Sequence, residues 1–310
     1  MAGRSYELIR CKTADELVDA ISPTAKHFRN GDWIFRGQGR DLPLIPSAFR
    51  EDRMPSMQSR SFDKWSYWAQ ARAELKLIRR FYKIADRSGL SIPEDSFHLR
   101  RLLDTIDHDR EAFVKVWPPG ELLALIALAQ HHGVPTRLLD WSHSPWAAAY
   151  FAAENVIRFE AKELESCKII VWAFDASIGI VVRSDHDDAE EPQARPEAKI
   201  EVVTTPYGNN RNLAAQRGVH LLYRTMEAHE PLKIIHREPF DHALRSTHIE
   251  AMADDDKALF KFVLPAEQGG RLLRLLAKHG ATGATLFPGF DGVARAMAEE
   301  TRWRKSSTLH

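Results

Sequence analysis

Helical and strand-like patterns are unevenly distributed along this chain of 310 residues, and this distribution constrains its fold more than any single motif. Trp65 to Ala85 carries apolar residues at helical spacing, and Leu122 to Gln130 is an almost wholly apolar segment that predicts a buried helix. Strand patterns dominate the second half, most clearly Lys168 to Asp175. A helical half followed by a strand-rich half favours an α+β fold with a mixed or antiparallel sheet core and the helical N-terminal half packed on it.

The remaining predicted elements complete this organisation. Further strands are predicted over Trp33 to Phe35, Thr136 to Trp141, Lys199 to Thr205, Val219 to Arg224, Leu232 to His236 and Leu259 to Leu264. Further helices are predicted over Ala14 to Ala20, Trp146 to Asn155, Glu267 to His279 and Phe290 to Glu299, before a frayed polar tail at Thr301 to His310. We expect an N-terminal segment at 1–29, one domain at 30–295 with a mostly helical part at 61–130, and a helix end and polar tail at 296–310.

Composition excludes several classes of protein. Hydrophobic residues make up 44% of the chain, enough to bury a large core without disulfides or metal. The two cysteines, Cys11 and Cys167, are too few for a disulfide scaffold and favour a reducing compartment. Lys plus Arg and Asp plus Glu each number 43, so there is no general attraction to nucleic acid or to anionic membranes. Without a visible secretory or membrane-spanning segment, we expect a cytoplasmic protein.

An Arg-Gly pair ends the first predicted buried strand, in the sequence Phe35-Arg36-Gly37-Gln38. A guanidinium fixed at the edge of a sheet presents a planar donor fork suited to phosphate, carboxylate or carbonyl groups. Gly37 permits close approach of a backbone or a ligand. The segment indicates either an anion-binding position or an arginine that braces two loops through backbone carbonyls.

The densest polar segment, His131 to Trp146, lies between two apolar helices. Buried polar groups need partners, so its side chains should form a connected network. Ser144 has the position of a helix N-cap, with proline at the first helical position, and such an N-terminus offers free N–H groups to an anion. We expect Asp140 to pair with Arg137 or with Arg36.

The adjacent His131 and His132 suggest two further interpretations. They lie at a helix end without a cysteine or carboxylate at the usual ligand spacing, so we predict no metal site. A Ser–His–Asp arrangement of Ser142, His132 and Asp140 is an alternative that would make the chain a hydrolase. No nucleophile-elbow pattern accompanies these residues.

Two later segments also carry candidate features. Gln216 lies just before a predicted strand that Gly218 allows the chain to enter sharply. A glutamine donates and accepts hydrogen bonds but is not a base at neutral pH. The segment is either a ligand contact or a connection whose Gln satisfies backbone groups. Gly283 to Gly292 predicts a structural turn that leads into the last helix.

Five segments together resemble the FRG domain family, named for its Phe-Arg-Gly motif. They are Trp33 to Gln38, Leu42 to Arg50, Ala129 to Glu154, Asn212 to Val219 and Ala281 to Gly292. The resemblance spans roughly residues 30 to 295 in order. It implies a bacterial protein of a family in which some members are linked to phage defence.

A second resemblance is to ADP-ribosyltransferases of the Arg-Ser-Glu type. It rests on Phe35-Arg36-Gly37, on Ser142-His143-Ser144 before a helix, and on Gln216-Arg217-Gly218 before a strand. It implies an ADP-ribosyltransferase-like fold that uses NAD as its substrate. The residues that the resemblance places at the cofactor are Arg36, Gly37, Gln38, Arg137, Asp140 and Ser144.

The catalytic positions implied by this resemblance are Ser142, which would position the nicotinamide ribose, and Gln216, which would contact the ribose. The chain departs from the pattern at Gln216, where a catalytic Glu is expected. A Gln makes the hydrogen bond but lacks the charge that favours a cationic sugar. Glu201 and Glu227 are the alternative carboxylates.

These observations leave two main hypotheses. The first is a NAD-binding ADP-ribosyltransferase or NAD glycohydrolase, acting as a toxin-like effector in defence, with a macromolecular acceptor as a further partner. The second is a non-catalytic FRG-type module that binds a nucleotide, a small molecule or a protein, and the missing Glu favours it. In either case the helices of 61–130 would form a lid over the site or a buttress beside it.

Overall fold

The computed structural model describes residues 6–53, 65–159, 164, 167–178, 199–206, 210–224, 232, 235, 237, 239–246 and 258–307. The strands are β1 (Glu7–Arg10), β2 (Trp33–Gln38), β3 (Leu138–Ser142), β4 (Lys168–Asp175), β5 (Lys199–Val203), β6 (Gly218–Arg224) and β7 (Leu259–Pro265). The helices are α1 (Ala14–Ala20), α2 (Tyr67–Arg87), α3 (Phe97–Thr105), α4 (Arg110–Val116), α5 (Leu123–His131), α6 (Pro145–Val156), α7 (Arg211–Ala215), α8 (Phe240–Ser246), α9 (Gly269–Lys278), α10 (Gly283–Leu286) and α11 (Phe290–Ser307). The predicted strand at Leu232 to His236 lies largely outside the described residues.

The described strands form a seven-stranded sheet in the order β1–β7–β4–β2–β3–β6–β5. β1 runs parallel to β7, and the other neighbouring strands are antiparallel. This arrangement confirms the predicted α+β class with a mixed sheet. β2 pairs with β4 over its whole length but with β3 only at Phe35 and Ser142. β2 and β3 therefore separate near the end of β2 that carries Arg36.

Three buried clusters place the core on both faces of the sheet. On one face, α1, α6 and α9 cover β2, β4 and β7 around residues such as Val171. On the same face, helices α2 to α5 pack against Leu138 and Leu222 of β3 and β6. Trp172 and Phe240 belong to a cluster on the opposite face. Side chains alternate between the two faces along each strand, so the clusters around Val171 and Leu138 lie on the same face. The two helical layers therefore stand side by side on that face.

Local sequence signals explain the helix boundaries around β3. Gly133 follows the end of α5 with a φ of 82°, a left-handed conformation that glycine adopts at little cost. Ser144 caps α6, since its hydroxyl accepts a hydrogen bond from the Ala147 N–H at 3.3 Å, and Pro145 is the first helical residue. The predicted stop and the predicted N-cap are both confirmed.

The C-terminal helix extends further than its sequence predicts. The sequence predicts a frayed tail over Thr301 to His310, but α11 continues to Ser307, and the last three residues lie outside the described part of the chain. The helix is held from within: Glu299 is 2% exposed and accepts a hydrogen bond from the Tyr150 hydroxyl. Arg274 of α9 also donates to the Trp303 carbonyl at 3.1 Å. These long-range contacts keep a polar segment helical, which local composition does not indicate.

Helix length and polarity bear on membrane insertion. Within the described part of the chain, no single helix is long and apolar enough to cross a bilayer. The bent pair formed by Arg110–Val116 and Gly120–His131 meets the length and composition criteria only when its two members are taken together.

Candidate functional site

A cavity of about 410 Å³ opens between the two helical layers, above the point where β2 and β3 separate. Its walls come from both layers and from three strands. The lining residues are Phe35, Arg36, Gly37, Ala127, Gln130, His131, Asp140, Trp141, Ser142, Ala148, Phe151, Asn155, Asn210, Leu213, Gln216, Gly218, Val219, His220 and Phe287. The three segments that resemble ADP-ribosyltransferases therefore each contribute to one concave, partly polar pocket, the usual form of a ligand site.

Arg36 bridges the gap between the separating strands. Its Nη1 donates to the backbone carbonyl of Asp140 at 2.6 Å, so the guanidinium partly fulfils the bracing role that the sequence left open. Its Nε is buried without a hydrogen-bond partner among the described residues. Burial lowers the pKa of Arg36, although the neighbouring Asp140 charge opposes this effect. A partly buried guanidinium with an unused donor at a cavity wall is suited to an anionic ligand.

Asp140 places a carboxylate on the same wall. Its side chain is 65% exposed, and Asp140 lines the larger cavity. Gln130 donates its amide to Asp140 Oδ1 and accepts the Thr136 hydroxyl, so the carboxylate is held at the end of a short polar chain. Burial raises the pKa of Asp140, but contact with His220, the Arg36 charge and the Gln130 bond lower it below its usual value. Asp140 is therefore ionised at neutral pH.

His220 is a site residue that the sequence analysis missed. It lies directly opposite Asp140 on the neighbouring strand, is 4% exposed, and brings its Nδ1 to 3.2 Å from Asp140 Oδ1. Neither ring nitrogen has a hydrogen bond of standard geometry among the described residues. The available signal was a single histidine in the otherwise apolar strand run Val219 to Tyr223. Buried polar atoms without partners are rare and mark positions of functional interest.

Ser142 and Ser144 shape the wall without offering a free hydroxyl. The Ser142 hydroxyl donates to the Gln216 carbonyl at 2.6 Å and accepts the Ser144 N–H at 2.8 Å. The Ser144 hydroxyl caps α6, and Ser144 is not among the lining residues. The predicted involvement of Ser144 is therefore indirect, through the position of α6.

Gln216 lies in the cavity wall but its amide is already engaged. Its Nε2 donates to the Leu286 carbonyl at 3.1 Å and so ties α10 to the turn before β6. The next residue, Arg217, has a φ of 49°, an uncommon conformation for a non-glycine residue, and its carbonyl accepts the His143 N–H at 3.0 Å. Gln216 therefore satisfies a backbone carbonyl, which is one of the two roles that the sequence indicates for this segment.

Gly37 serves the packing of α6 more than the approach of a ligand. A Cβ at this position would lie 1.8 Å from the Ala148 carbonyl oxygen, so the helix rests directly on the strand backbone. The absent side chain is what allows α6 to form one wall of the cavity at this depth. The sequence left open whether Gly37 permits the close approach of a backbone or of a ligand. In the structure, the backbone of α6 makes this approach.

Two residues predicted at the cofactor lie elsewhere. Gln38 accepts the Trp172 indole N–H at 2.8 Å and is buried outside the cavity lining. Arg137 is buried and forms an ion pair with Glu74, with 2.7 Å between Nε and Oε2. Of the two partners expected for Asp140, Arg137 pairs with Glu74 of α2 instead, whereas the Arg36 charge acts on Asp140.

The two histidines of the polar segment have different surroundings. His131 lines the cavity, with Nε2 at 3.3 Å from the Asn212 amide nitrogen, and burial followed by the charge of His132 lowers its pKa. His132 stacks on Phe81 and does not line the cavity. The alternative triad of Ser142, His132 and Asp140 is therefore not assembled. Among the described residues no group of three or more His, Cys, Asp or Glu side chains is placed to bind a metal.

A smaller cavity of about 200 Å³ adjoins the first and shares Arg36, Gln130 and Asp140 with it. Arg50 and Arg53 also line it. The Nε of Arg50 donates to the Ile45 carbonyl at 2.8 Å, which orients the guanidinium, and burial lowers the Arg50 pKa. Three arginines around one small cavity make this side of the site positively charged.

Of the two alternative carboxylates, only Glu201 belongs to the described residues. Glu201 lies on β5 opposite Leu222 and is not among the lining residues. Glu227 lies outside the described residues. Asp140 is therefore the acidic side chain among the residues that line the larger cavity.

The fold and cavity define an α+β protein with a ligand-sized site between two helical layers. Residues 31–161 match the family model of the FRG domain. No curated protein and no solved structure is similar enough to this chain to count as a match. The matched range includes Arg36, Gln130 and Asp140, whereas Gln216 and His220 lie beyond it.

Proposed function

We propose that the cavity binds NAD and that the protein cleaves its nicotinamide–ribose bond, transferring ADP-ribose to water or to a macromolecular acceptor. The observation that carries this proposal is the meeting of Arg36, Ser142 and Gln216 at one cavity, although they are far apart in sequence. These are the residues through which the chain resembles ADP-ribosyltransferases.

The charge distribution supports a ligand with an anionic part. Arg36 lies between the two cavities, and Arg50 and Arg53 line the smaller one. Guanidinium groups bind phosphate oxygens through paired, charge-assisted hydrogen bonds. In the proposed complex the diphosphate lies against Arg36 and Arg50, and the smaller cavity takes its negative charge.

The larger cavity suits the nucleoside part of such a ligand. Phe151 and Phe287 supply aromatic surface, and Asn155 and Asn210 supply amide groups. Apolar walls with a few polar groups bury a flat base while fixing its orientation. In the proposed complex the nicotinamide riboside half lies between α6 and β3, close to Ser142.

A specific observation favours a second candidate, a non-catalytic nucleotide-binding or partner-binding module. Gln216 carries no charge, and its amide already donates to the Leu286 carbonyl. If no other group supplies a negative charge near the ribose, the cavity binds without turnover. Binding without release of nicotinamide would support this candidate.

The experiment is NAD binding by calorimetry together with nicotinamide release, measured for the wild type and for Arg36→Ala. We expect binding and turnover by the wild type and loss of both in Arg36→Ala. Arg271→Ala is the matched control, because Arg271 pairs with Asp15 on the surface. A melting curve on each variant separates loss of binding from unfolding, and unchanged binding by a folded Arg36→Ala would contradict the assignment.

We also propose that turnover makes the protein a toxin-like effector in bacterial phage defence. Cleavage of NAD removes a cofactor on which cellular metabolism depends. Expression of the wild type should lower the NAD content of bacterial cells, and expression of Arg36→Ala should not. Equal NAD levels in cells that contain equal amounts of the two proteins would contradict this role.

A further inference from the structure

Asp140 and His220 face each other across two neighbouring strands at one wall of the larger cavity. The Asp140 carboxylate is open to the cavity, whereas His220 is buried beside it, with Nδ1 and Oδ1 3.2 Å apart. Catalytic hydrogen bonds are often long or poorly aligned in empty sites and tighten when the substrate binds. The separation is short enough for such a bond to form.

We propose that Asp140 is the catalytic carboxylate of this cavity and that His220 is its positioning residue. The proposal rests on the proposed cleavage of NAD and identifies the group that replaces the missing Glu at Gln216. The negative charge is supplied from β3, on the strand that also carries Ser142, and not from the turn before β6.

The bonding of the neighbouring polar groups leads to this assignment. The Ser142 hydroxyl donates to a backbone carbonyl, and the Gln216 amide donates to another. Neither offers a charge or a base. Asp140 is both accessible and held in place, through Gln130 and Thr136. Of the polar groups at this wall, the carboxylate is therefore the one suited to act on a substrate.

The proposed step is hydrolysis of the nicotinamide–ribose bond. The carbon–nitrogen bond breaks, and its electron pair goes to the pyridinium nitrogen, which becomes neutral as nicotinamide leaves. The Asp140 carboxylate stabilises the positive charge that develops on the ribose. A water oxygen bonds to the ribose carbon, its proton passes to Asp140 and then to solvent, and the products are ADP-ribose, nicotinamide and one proton.

The state of His220 fits a positioning role. A buried imidazole whose two nitrogens lack partners lowers the stability of the fold, and an apolar side chain of similar size would remove that cost. Such a residue is retained when its interaction matters in the working state. Here that interaction is a hydrogen bond from Nδ1 to Asp140, which fixes the carboxylate as charge develops on the ribose.

The first test compares wild type with Asp140→Asn, a change of nearly identical shape. We expect kcat for nicotinamide release to fall by about 100-fold or more, the range seen when one group that stabilises transition-state charge is removed. The Kd for NAD should stay within about threefold of the wild-type value. A melting curve establishes that the variant is folded.

The second test uses three variants of His220. His220→Leu should melt at or above the wild-type temperature, yet its kcat should fall about 10-fold or more with little change in KM. His220→Asn should recover most of the activity, because its amide nitrogen occupies the place of Nδ1, and His220→Gln should not. His132→Gln is the control, since His132 lies outside the cavity lining.

The outcomes separate this inference from the proposed function. Wild-type turnover that persists in folded Asp140→Asn or His220→Leu overturns the inference and leaves NAD cleavage standing. Binding of NAD without turnover by the wild type overturns the catalytic role of Asp140 and favours the binding module. No binding by the wild type overturns the proposed function and the inference with it.

Discussion

Glu74 and Arg137 form a two-point ion pair that is buried where the helical layer meets the sheet, with Nε–Oε2 at 2.7 Å and Nη2–Oε1 at 2.9 Å. The Trp117 indole and the Gln70 amide also donate to Glu74, so the carboxylate is saturated with donors. This network joins α2 and the segment before α5 to the start of β3. The network therefore fixes α2 against the sheet, which favours a buttress over a lid for this helix.

Breaking this ion pair should destabilise the protein strongly. We expect Glu74→Ala to lower the free energy of unfolding by about 3–5 kcal/mol, because it leaves Arg137 charged and buried without a partner. Urea unfolding measures the change. Exposed Glu94→Ala is the control, and the double variant Glu74→Leu with Arg137→Met should recover much of the loss. Equal stability of Glu74→Ala and wild type would contradict the role of this ion pair in fixing α2 against the sheet.

The contact between Gly37 and α6 predicts a large effect from one methyl group. Gly37→Ala places a Cβ 1.8 Å from the Ala148 carbonyl oxygen, so the helix must shift or the protein loses stability. We expect a loss of about 1–3 kcal/mol in the free energy of unfolding, typical of overpacking. Gly120→Ala is the matched control, because a Cβ there meets no atom within 4 Å. Thermal melts of the two variants should differ clearly.

Introducing the expected carboxylate at Gln216 should not increase catalysis. Gln216→Glu removes the amide that donates to the Leu286 carbonyl and places two acceptors against each other. We expect a loss of about 1–3 kcal/mol in unfolding free energy and no rise in nicotinamide release. Gln268→Glu is the control, because Gln268 accepts the Ala14 N–H and a carboxylate does so equally well. Higher turnover by Gln216→Glu would show that the turn before β6 is the catalytic position.

The buried Glu299 predicts a specific pH dependence of stability. Burial raises its pKa above the ordinary value of 4.5, so the folded state binds the proton more tightly than the unfolded state. Stability of the wild type therefore falls as pH rises from 4.5 through the raised pKa, and levels off above it. Glu299→Gln should remove this fall. The free energy of unfolding of the variant relative to wild type should therefore increase as pH rises from 4.5 through the raised pKa. Urea midpoints from pH 4 to 8, with exposed Glu300→Gln as control, measure the difference.

A substitution of Arg50 tests whether the positively charged smaller cavity binds the phosphates of NAD. Arg50→Gln removes one guanidinium from the smaller cavity and should weaken NAD binding by roughly 10–100-fold, the equivalent of one charge-assisted hydrogen bond of about 1.5–3 kcal/mol. Binding by the variant should also depend less on salt concentration. Calorimetry at two ionic strengths measures both effects, and Arg271→Ala is again the control. An unchanged Kd would place the phosphates elsewhere.

Much of the secondary structure was readable from the chain because its signals are local. The apolar, β-branched segment Lys168–Asp175 matches β4 at both ends. Ser144 and Pro145 fix the start of α6 by capping chemistry that acts within one turn. Such features depend on neighbouring residues, which the sequence presents directly.

The partners of polar side chains were less predictable because they depend on tertiary contacts. Arg137 was expected at the cofactor or beside Asp140, but a carboxylate 63 residues earlier in the chain takes it. His220 was not predicted as a site residue because its position opposite Asp140 follows from the pairing of β3 with β6, which β4 and β5 separate along the chain. Sequence spacing does not reveal this pairing.

The position of β2 between β3 and β4 has a consequence for how the family match is understood. Its neighbour β3 lies within residues 31–161, whereas its other neighbour, β4, begins at Lys168. The matched segment alone would leave β2 with an open edge along its full length, a surface prone to aggregation. The part that the family model matches therefore lacks the strand that covers this edge of β2, and the later part of the chain supplies it.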